Sequence, residues 1–311
     1  MDNFLYAFDE NYNIQGYCSI VSLLENSQSE VNIYIIHKDP ETFNSYKEKI
    51  IINKNLGKLE ILKFNNKNYK FPNLENKHVS EATYYRIFID EYLPDSVENF
   101  LYVDADAFFI NHFQIELNKA NENLMRSNYI ISATANSHKN DDNRRRLNLK
   151  EYFNAGVILV NYDKWRKNNV SSKLKSLLQD ETLELEFWDQ DLLNIYFNGN
   201  FETLSSKFNF MVYGDQKDSL DSLNNIANNA TIVHYSGKHK PWSPKGVFSK
   251  ESYYYLELYR RLFNKKYHIV NIYSKNTLKI LIKNIFNLKL LKLEYPLSYA
   301  SLVIKSVLKK S

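Results

Sequence analysis

Two carboxylates one residue apart, Asp104 and Asp106, follow the apolar run Phe100-Leu101-Tyr102-Val103. Strand alternation sends side chains two apart to the same side, so both can converge on one cation. They stand at the C-terminal end of a strand, where open α/β sheets bind their ligands. Carboxylate oxygens suit hard octahedral ions such as Mg²⁺ or Mn²⁺. Far along the chain, His234 lies in Val233-His234-Tyr235-Ser236-Gly237-Lys238-His239-Lys240-Pro241-Trp242, at the end of a short strand. A nitrogen donor as third ligand favours Mn²⁺ over Mg²⁺. In the same stretch Gly237 lets the backbone approach a ligand closely, and Lys240 offers a point charge for phosphate. Asn154, in Phe153-Asn154-Ala155-Gly156-Val157, is an amide beside a glycine, suited to reading sugar hydroxyls. Asp189, Gln190 and Asp191 open a helix that runs to Phe197.

Each signal also has an ordinary reading. Asp104 and Asp106 can be the acids of a strand-end turn, and His234 a satisfied core or loop histidine. Asn154 can cap its own backbone in a turn. Acids in the first turn of a helix complement its dipole.

The elements that must position these residues are legible from hydrophobic patterning. Phe4–Phe8, Val31–Ile36, Leu59–Phe64 and Phe100–Val103 read as strands, with Ile130–Ala133, Gly156–Asn161 and Thr231–Tyr235 following. Tyr17, Ile20, Val21 and Leu24 recur at helical spacing, and Tyr162–Leu178 and Phe187–Phe197 read as helices. Continuous apolar strands separated by amphipathic helices predict a mainly parallel sheet covered on both faces. The fold class is therefore α/β. Residues 1–264 read as one domain, and the polar, Arg-rich stretch His138–Lys150 as an active-site loop or an ordinary exposed one.

The last segment, 265–311, differs in charge. The chain of 311 residues has a formal charge of +4, but this segment holds ten Lys against one acid, Glu294, a net of +9 that leaves −5 for residues 1–264. From Asn276 to Leu288 a helical projection gathers Asn276, Lys279, Lys283, Asn284 and Asn287 in one arc. Leu278, Leu281, Ile282, Ile285 and Leu288 occupy the other. This basic amphipathic helix, broken before Pro296, either packs on the body with Lys outward or attaches to an anionic membrane surface; the concentrated charge favours attachment. A mildly acidic body with a basic tail argues against a nucleic-acid partner. A lone Cys18 excludes a disulfide framework and a Cys-ligated zinc site. Neither a secretory leader nor a run of ~20 apolar residues is visible, which predicts a reducing, cytoplasmic setting.

The motifs taken in order carry more than any one of them. Ala7-Phe8-Asp9-Glu10-Asn11-Tyr12 and Ser80-Glu81-Ala82-Thr83-Tyr84-Tyr85-Arg86 precede Asp104-Ala105-Asp106. Asn154-Ala155-Gly156-Val157, Asp189-Gln190-Asp191, Lys207-Phe208-Asn209-Phe210-Met211 and the His234–Trp242 stretch follow. This order resembles glycosyltransferase family 8, the retaining α-glycosyltransferases, with its strongest likeness to the bacterial lipooligosaccharide α-galactosyl- and α-glucosyltransferases. The likeness covers residues 1–245 and extends in character to the basic tail.

The resemblance implies a GT-A fold, a divalent metal (Mn²⁺, with Mg²⁺ as the alternative) and a UDP-sugar donor. Carried onto matching positions, Asp104, Asp106 and His234 would be metal ligands. Ala7, Asp9, Asn11 and Tyr12 would form the uridine pocket, with Ala105 also lining the donor site. Gly237 and Lys240 would hold the diphosphate, and Arg86, Asn154, Asp189 and Gln190 would face the donor sugar. At Asn136 the galactosyltransferases of the family carry an Asp that helps bind sugar hydroxyls; the amide here keeps the hydrogen bonds and drops the charge. In the family an amide, here Gln190, lies beneath the anomeric carbon. An amide is a poor nucleophile, which points to same-face transfer over double displacement, with Asp189 as the alternative nucleophile. The expected acceptor is a glycan, lipid-anchored as in the lipooligosaccharide outer core, met at the inner face of the cytoplasmic membrane. The rival expectation is a non-catalytic protein of the same fold that binds UDP or a membrane surface.

Overall fold

The computed structural model describes residues 2–66, 69–72, 74, 80–135, 138–214, 222–270 and 275–308. Its contacts divide the chain into two compact units. One comprises residues 1–210 and 230–232, the other residues 211–229 and 233–311.

The first unit is built on a seven-stranded sheet. Its strands are β1 (Asn3–Phe8), β2 (Val31–His37), β3 (Leu56–Lys63), β4 (Asn99–Val103), β6 (Ile131–Thr134), β7 (Asn154–Asn161) and β8 (Glu202–Thr203), with β5 (Ala107–Phe109) following β4 in the chain. The order is β3-β2-β1-β4-β7-β6-β8. β1 pairs in parallel with β2 and β4, and β2 with β3. Chain order reverses at β1, which opens a crevice beyond the carboxyl ends of β1 and β4. The inner strands are buried on both faces: Phe4, Leu5, Tyr6, Ala7 and Phe8 of β1 are all buried, as the continuous apolar run predicts.

The expectation of a mainly parallel sheet meets one exception. β7 runs antiparallel to both β4 and β6, with Val103 opposite Val157. An apolar run reads the same in either direction, so periodicity does not disclose this reversal. Its consequence is large. The start of β7, at Asn154, lies beside the end of β4, at Asp104, and Asp104 N–H donates to Gly156 O at 2.8 Å.

The stretch Tyr162–Leu178 is two helices, Tyr162–Lys167 and Val170–Leu178. Asn169 between them takes φ 52°, a left-handed conformation that Asn tolerates better than most residues. His138–Arg146 is helical rather than a loop. Between β3 and β4 a 3₁₀ helix, Glu81–Glu91, buries Tyr84, Tyr85, Ile87, Phe88 and Ile89. Phe64 stacks on Tyr85 at 3.8 Å between ring centroids, and Phe71 on Tyr84 at 5.1 Å. These rings lock the segment that carries Arg86.

The second unit holds most of β9 (Phe210–Tyr213) and β10 (Ile232–Ser236), and the helices Ser222–Asn229, Tyr253–Phe263, Lys275–Phe286 and Pro296–Leu308. The break before Pro296 stands where the sequence places it, with Pro opening the new helix. Within this unit Tyr299 and Val303 are buried, and the Tyr299 hydroxyl donates to Pro244 O at 3.0 Å. On the amphipathic helix Leu281 is buried, whereas Ile282, Ile285 and Phe286 are exposed.

Gly16 shows how tightly the first unit packs. A Cβ added there would approach the Phe8 ring to 2.7 Å, and Phe8 is hemmed in by Phe43 and His37 at 5.3 and 5.2 Å between centroids. Gly16→Val is expected to lower stability by about 1–3 kcal/mol through overpacking, read as a fall in the urea midpoint. An unchanged midpoint would show that the Phe8 ring can move aside.

Candidate active site

Strand β4 stops at Val103, and Asp104 to Ala107 form a turn closed by Ala107 N–H donating to Asp104 O at 3.0 Å. Asp104 and Asp106 are thus carried by a turn and not by strand alternation, because the chain bends away before alternation can act. Ala105 is buried, Asp106 nearly so, and Asp104 is partly open.

Arg86 organises the surroundings of Asp104. Its Nη2 meets Asp104 Oδ1 at 2.9 Å, its Nε meets Asp189 Oδ2 at 2.6 Å, and its Nη1 donates to Ala155 O. The guanidinium lies 4.1 Å from the centroid of the Tyr102 ring, whose hydroxyl donates to Asp104 Oδ1 at 2.8 Å. Burial alone would weaken protonation of Arg86, but Asp104 and Asp189 more than offset it and hold the guanidinium charged. The other oxygen of Asp189 accepts from the Thr83 hydroxyl. Burial pushes the Asp189 carboxyl up to about 6, against the opposing pull of Arg86 and Thr83 and with a smaller push from Asp104.

Gln190 and Asn154 interlock next to this pair. Gln190 Oε1 accepts from Asn154 Nδ2 at 3.2 Å and from Ala155 N–H at 3.0 Å. Asn154 Oδ1 accepts from Gly156 N–H at 3.0 Å and from Asn209 Nδ2 at 2.9 Å. The helix Trp188–Phe197 brings Asp189 and Gln190 here, and Trp188 enters it with φ 48°, strained for an aromatic residue.

At the carboxyl end of β1, Asp9 is buried and caps the short 3₁₀ turn Glu10–Tyr12, its Oδ1 accepting from Asn11 N–H at 3.0 Å. Ala7 precedes it on the strand, and Tyr12 N–H donates to Asp9 O at 2.9 Å. His37, buried at the end of β2, pairs through Nε2 with Asn13 Oδ1 at 2.8 Å. Burial lowers its pKa, with nearby acids, Asp9 first, opposing.

In the second unit His234 lies in the middle of β10 and is buried, not at a strand end. Gly237 follows the strand with φ +79°, which favours glycine. Lys240 Nζ donates to Tyr235 O. Asn136 lies outside the described residues.

The first unit thus gathers Arg86, Asp104, Asn154, Asp189 and Gln190 into one polar network. The sequence reading did not single out Tyr102, Tyr152, Asn194 or Arg146, which complete it. Asn194 Oδ1 accepts from Phe153 N–H at 2.7 Å and its Nδ2 donates to Phe153 O at 2.9 Å, Gln190 Nε2 donates to the Tyr152 hydroxyl, and Arg146 pairs with Asp191. Tyr102 could have been suspected, since it stands two residues before Asp104.

A raised carboxyl pKa means that the fold takes up the proton more readily than the unfolded chain does. Asp189's contribution is therefore fully present below about pH 4 and lost as pH rises through about 6. In the metal-free chain, Asp189→Asn should flatten the fall in urea midpoint over that window. Identical slopes for the two chains would refute the assignment.

The profile described as Glycosyl transferase family 8 matches residues 3–246. General stress protein A of Bacillus subtilis is 26% identical over 264 residues, which is 80% of this chain and 90% of that protein. Lipopolysaccharide 1,3-galactosyltransferase of Salmonella typhimurium is 30% identical over 225 residues, 68% of this chain and 64% of that protein. The crystal structure of the galactosyltransferase LgtC in complex with donor and acceptor sugar analogs superposes with a TM-score of 0.67 at 20% identity, covering 83% of this chain and 95% of that one. The fold is accordingly GT-A.

Proposed function

The chain belongs to glycosyl transferase family 8, and from that premise we propose that it moves a hexose, galactose or glucose, from a UDP-sugar to a glycan acceptor with retention of configuration. The family implies a nucleotide-sugar donor and a glycan acceptor; the likeness to the Salmonella enzyme favours a lipopolysaccharide-type acceptor. The observation that carries the reading is the shared guanidinium of Arg86, which ties Asp104 of the β4 turn to Asp189 beside Gln190.

In this reading Asp104, Asp106 and His234 hold a divalent ion. Two carboxylates and an imidazole form a donor set that suits Mn²⁺ and admits Mg²⁺. The bound ion would supply Lewis-acid stabilisation of charge on the departing diphosphate. Lys240, after the turn at Gly237, adds a fixed cation for the same charge. Ala7, Asp9, Asn11 and Tyr12 take the uridine with Ala105, while Arg86, Asn154, Asn136, Asp189 and Gln190 bind the sugar. Both oxygens of Asp189 are engaged, by Arg86 and by Thr83, which supports same-face transfer over a nucleophilic Asp189.

Release of UDP from a panel of UDP-hexoses, with Mn²⁺ and with EDTA, tests this reading. Mn²⁺-dependent release from one donor is expected, with loss of at least about a hundredfold in a folded Asp106→Ala variant. Full turnover in EDTA would sink the metal assignment. UDP binding without release, with or without acceptor, would favour the non-catalytic alternative.

We also place residues 1–264 as the catalytic domain and 265–311 as a membrane-surface segment, on the inner face of the cytoplasmic membrane. Among the described residues no helix is long and apolar enough to cross a membrane. Exposed Ile282, Ile285, Phe286, Leu288, Leu291 and Leu297 beside the lysines support surface attachment. A Lys279→Glu, Lys283→Glu variant is expected to lose binding to anionic vesicles by about tenfold or more. Unaltered sedimentation with such vesicles would remove the assignment.

A further inference from the structure

Gln190 is held on the side away from Asn154 as well. Its Nε2 donates to the Tyr152 hydroxyl at 2.9 Å, and that hydroxyl donates to Asp191 Oδ1 at 2.6 Å. Tyr152 is 1% exposed and Asp191 wholly buried. Burial first, then the carboxylate of Asp191, raises the Tyr152 phenol, which stays protonated. Its single proton is spent on Asp191, so the oxygen presents only lone pairs to Gln190.

This fixes the carboxamide one way round. Reversed, its NH₂ would face the N–H of Ala155, and its carbonyl would face a phenol oxygen with no proton to offer. Asp191 is an anchor of unusual firmness. Arg146 Nη2 meets its two oxygens at 3.0 and 2.8 Å, and the N–H groups of Glu186 and Phe187 donate at 2.8 and 3.0 Å. Every one of these groups satisfies a buried charge, so the carboxylate is committed to the scaffold.

We infer that Tyr152 is a positioning residue for the Gln190 carboxamide, with the buried Asp191–Arg146 pair as its anchor. The inference deepens the proposed function, since it rests on Gln190 facing the donor sugar. It adds a second layer: the helix His138–Arg146 contributes to the seating of Gln190 through the Arg146–Asp191 pair and the Tyr152 hydroxyl.

Tyr152→Phe keeps the ring and removes only the oxygen, and leaves Asp191 its contacts to Arg146, Glu186 and Phe187. The variant is expected to lower kcat by about ten- to a hundredfold, as small misplacements do, with KM for the UDP-sugar within about twofold of wild type. In a Gln190→Ala background the same change should alter kcat by less than about twofold, because the group it acts through is gone. Equal losses in both backgrounds, or a loss confined to KM, would overturn the inference.

A wild-type readout covers the case in which the variant fails to fold or the chain transfers nothing. With ¹⁵N-glutamine labelling, the Gln190 side-chain NH₂, assigned by its disappearance in Gln190→Ala, should show two dispersed proton signals that exchange slowly with water. A freely exchanging pair at random-coil positions would overturn the seating whatever the activity. A protected pair in a chain that transfers no hexose would sink the proposed function and leave the seating standing.

Discussion

A buried guanidinium is the constraint on which the first unit turns. Arg86 is 8% exposed, and an uncompensated charge at such a position costs several kcal/mol. Two carboxylates, a backbone carbonyl and an aromatic face compensate it together: Asp104, Asp189, Ala155 and Tyr102. These partners come from three places in the chain: the end of β4, the start of β7 and the helix Trp188–Phe197. The charge therefore acts as a staple whose removal would leave two acids facing each other.

The aromatic packing around Glu81–Glu91 explains why the staple is rigid. A long 3₁₀ segment has poor hydrogen-bond geometry of its own. Tyr84 and Tyr85 are clamped by Phe71 and Phe64 instead, and packing decides the direction in which Arg86 leaves the segment. The antiparallel direction of β7 then puts Asn154 and Ala155 next to that guanidinium. A parallel strand in the same place would have put them at the opposite end of the strands, away from the carboxyl end of β4.

The second unit solves a different problem. Its terminal helices bury Tyr299, Val303 and Leu281, yet leave a row of large apolar side chains in the open among lysines. Packing and surface attachment are therefore compatible uses of one segment. The buried residues fix the helices to their own unit, and the exposed ones remain available to an amphiphilic surface.

The sequence alone determined every strand of the seven-stranded sheet but β8, because continuous apolar runs bounded by polar turns leave little else for the backbone to do, whereas the two residues Glu202 and Thr203 carry no such run. The ordered motifs also determined the family, since residue type at fixed order survives without coordinates. Asp104, Asn154, Asp189 and Gln190 were legible for that reason. The partners of those residues were not. Tyr152, Asn194 and Arg146 read as an ordinary core aromatic, a helix amide and a loop cation, and their roles exist only through pairings 38 to 45 residues apart in sequence. The tertiary structure likewise decided that β7 runs backwards and that Asp104 sits on a turn. Strand direction and the point of a bend are set by which surfaces bury against each other, and local hydrophobic period carries no information about either.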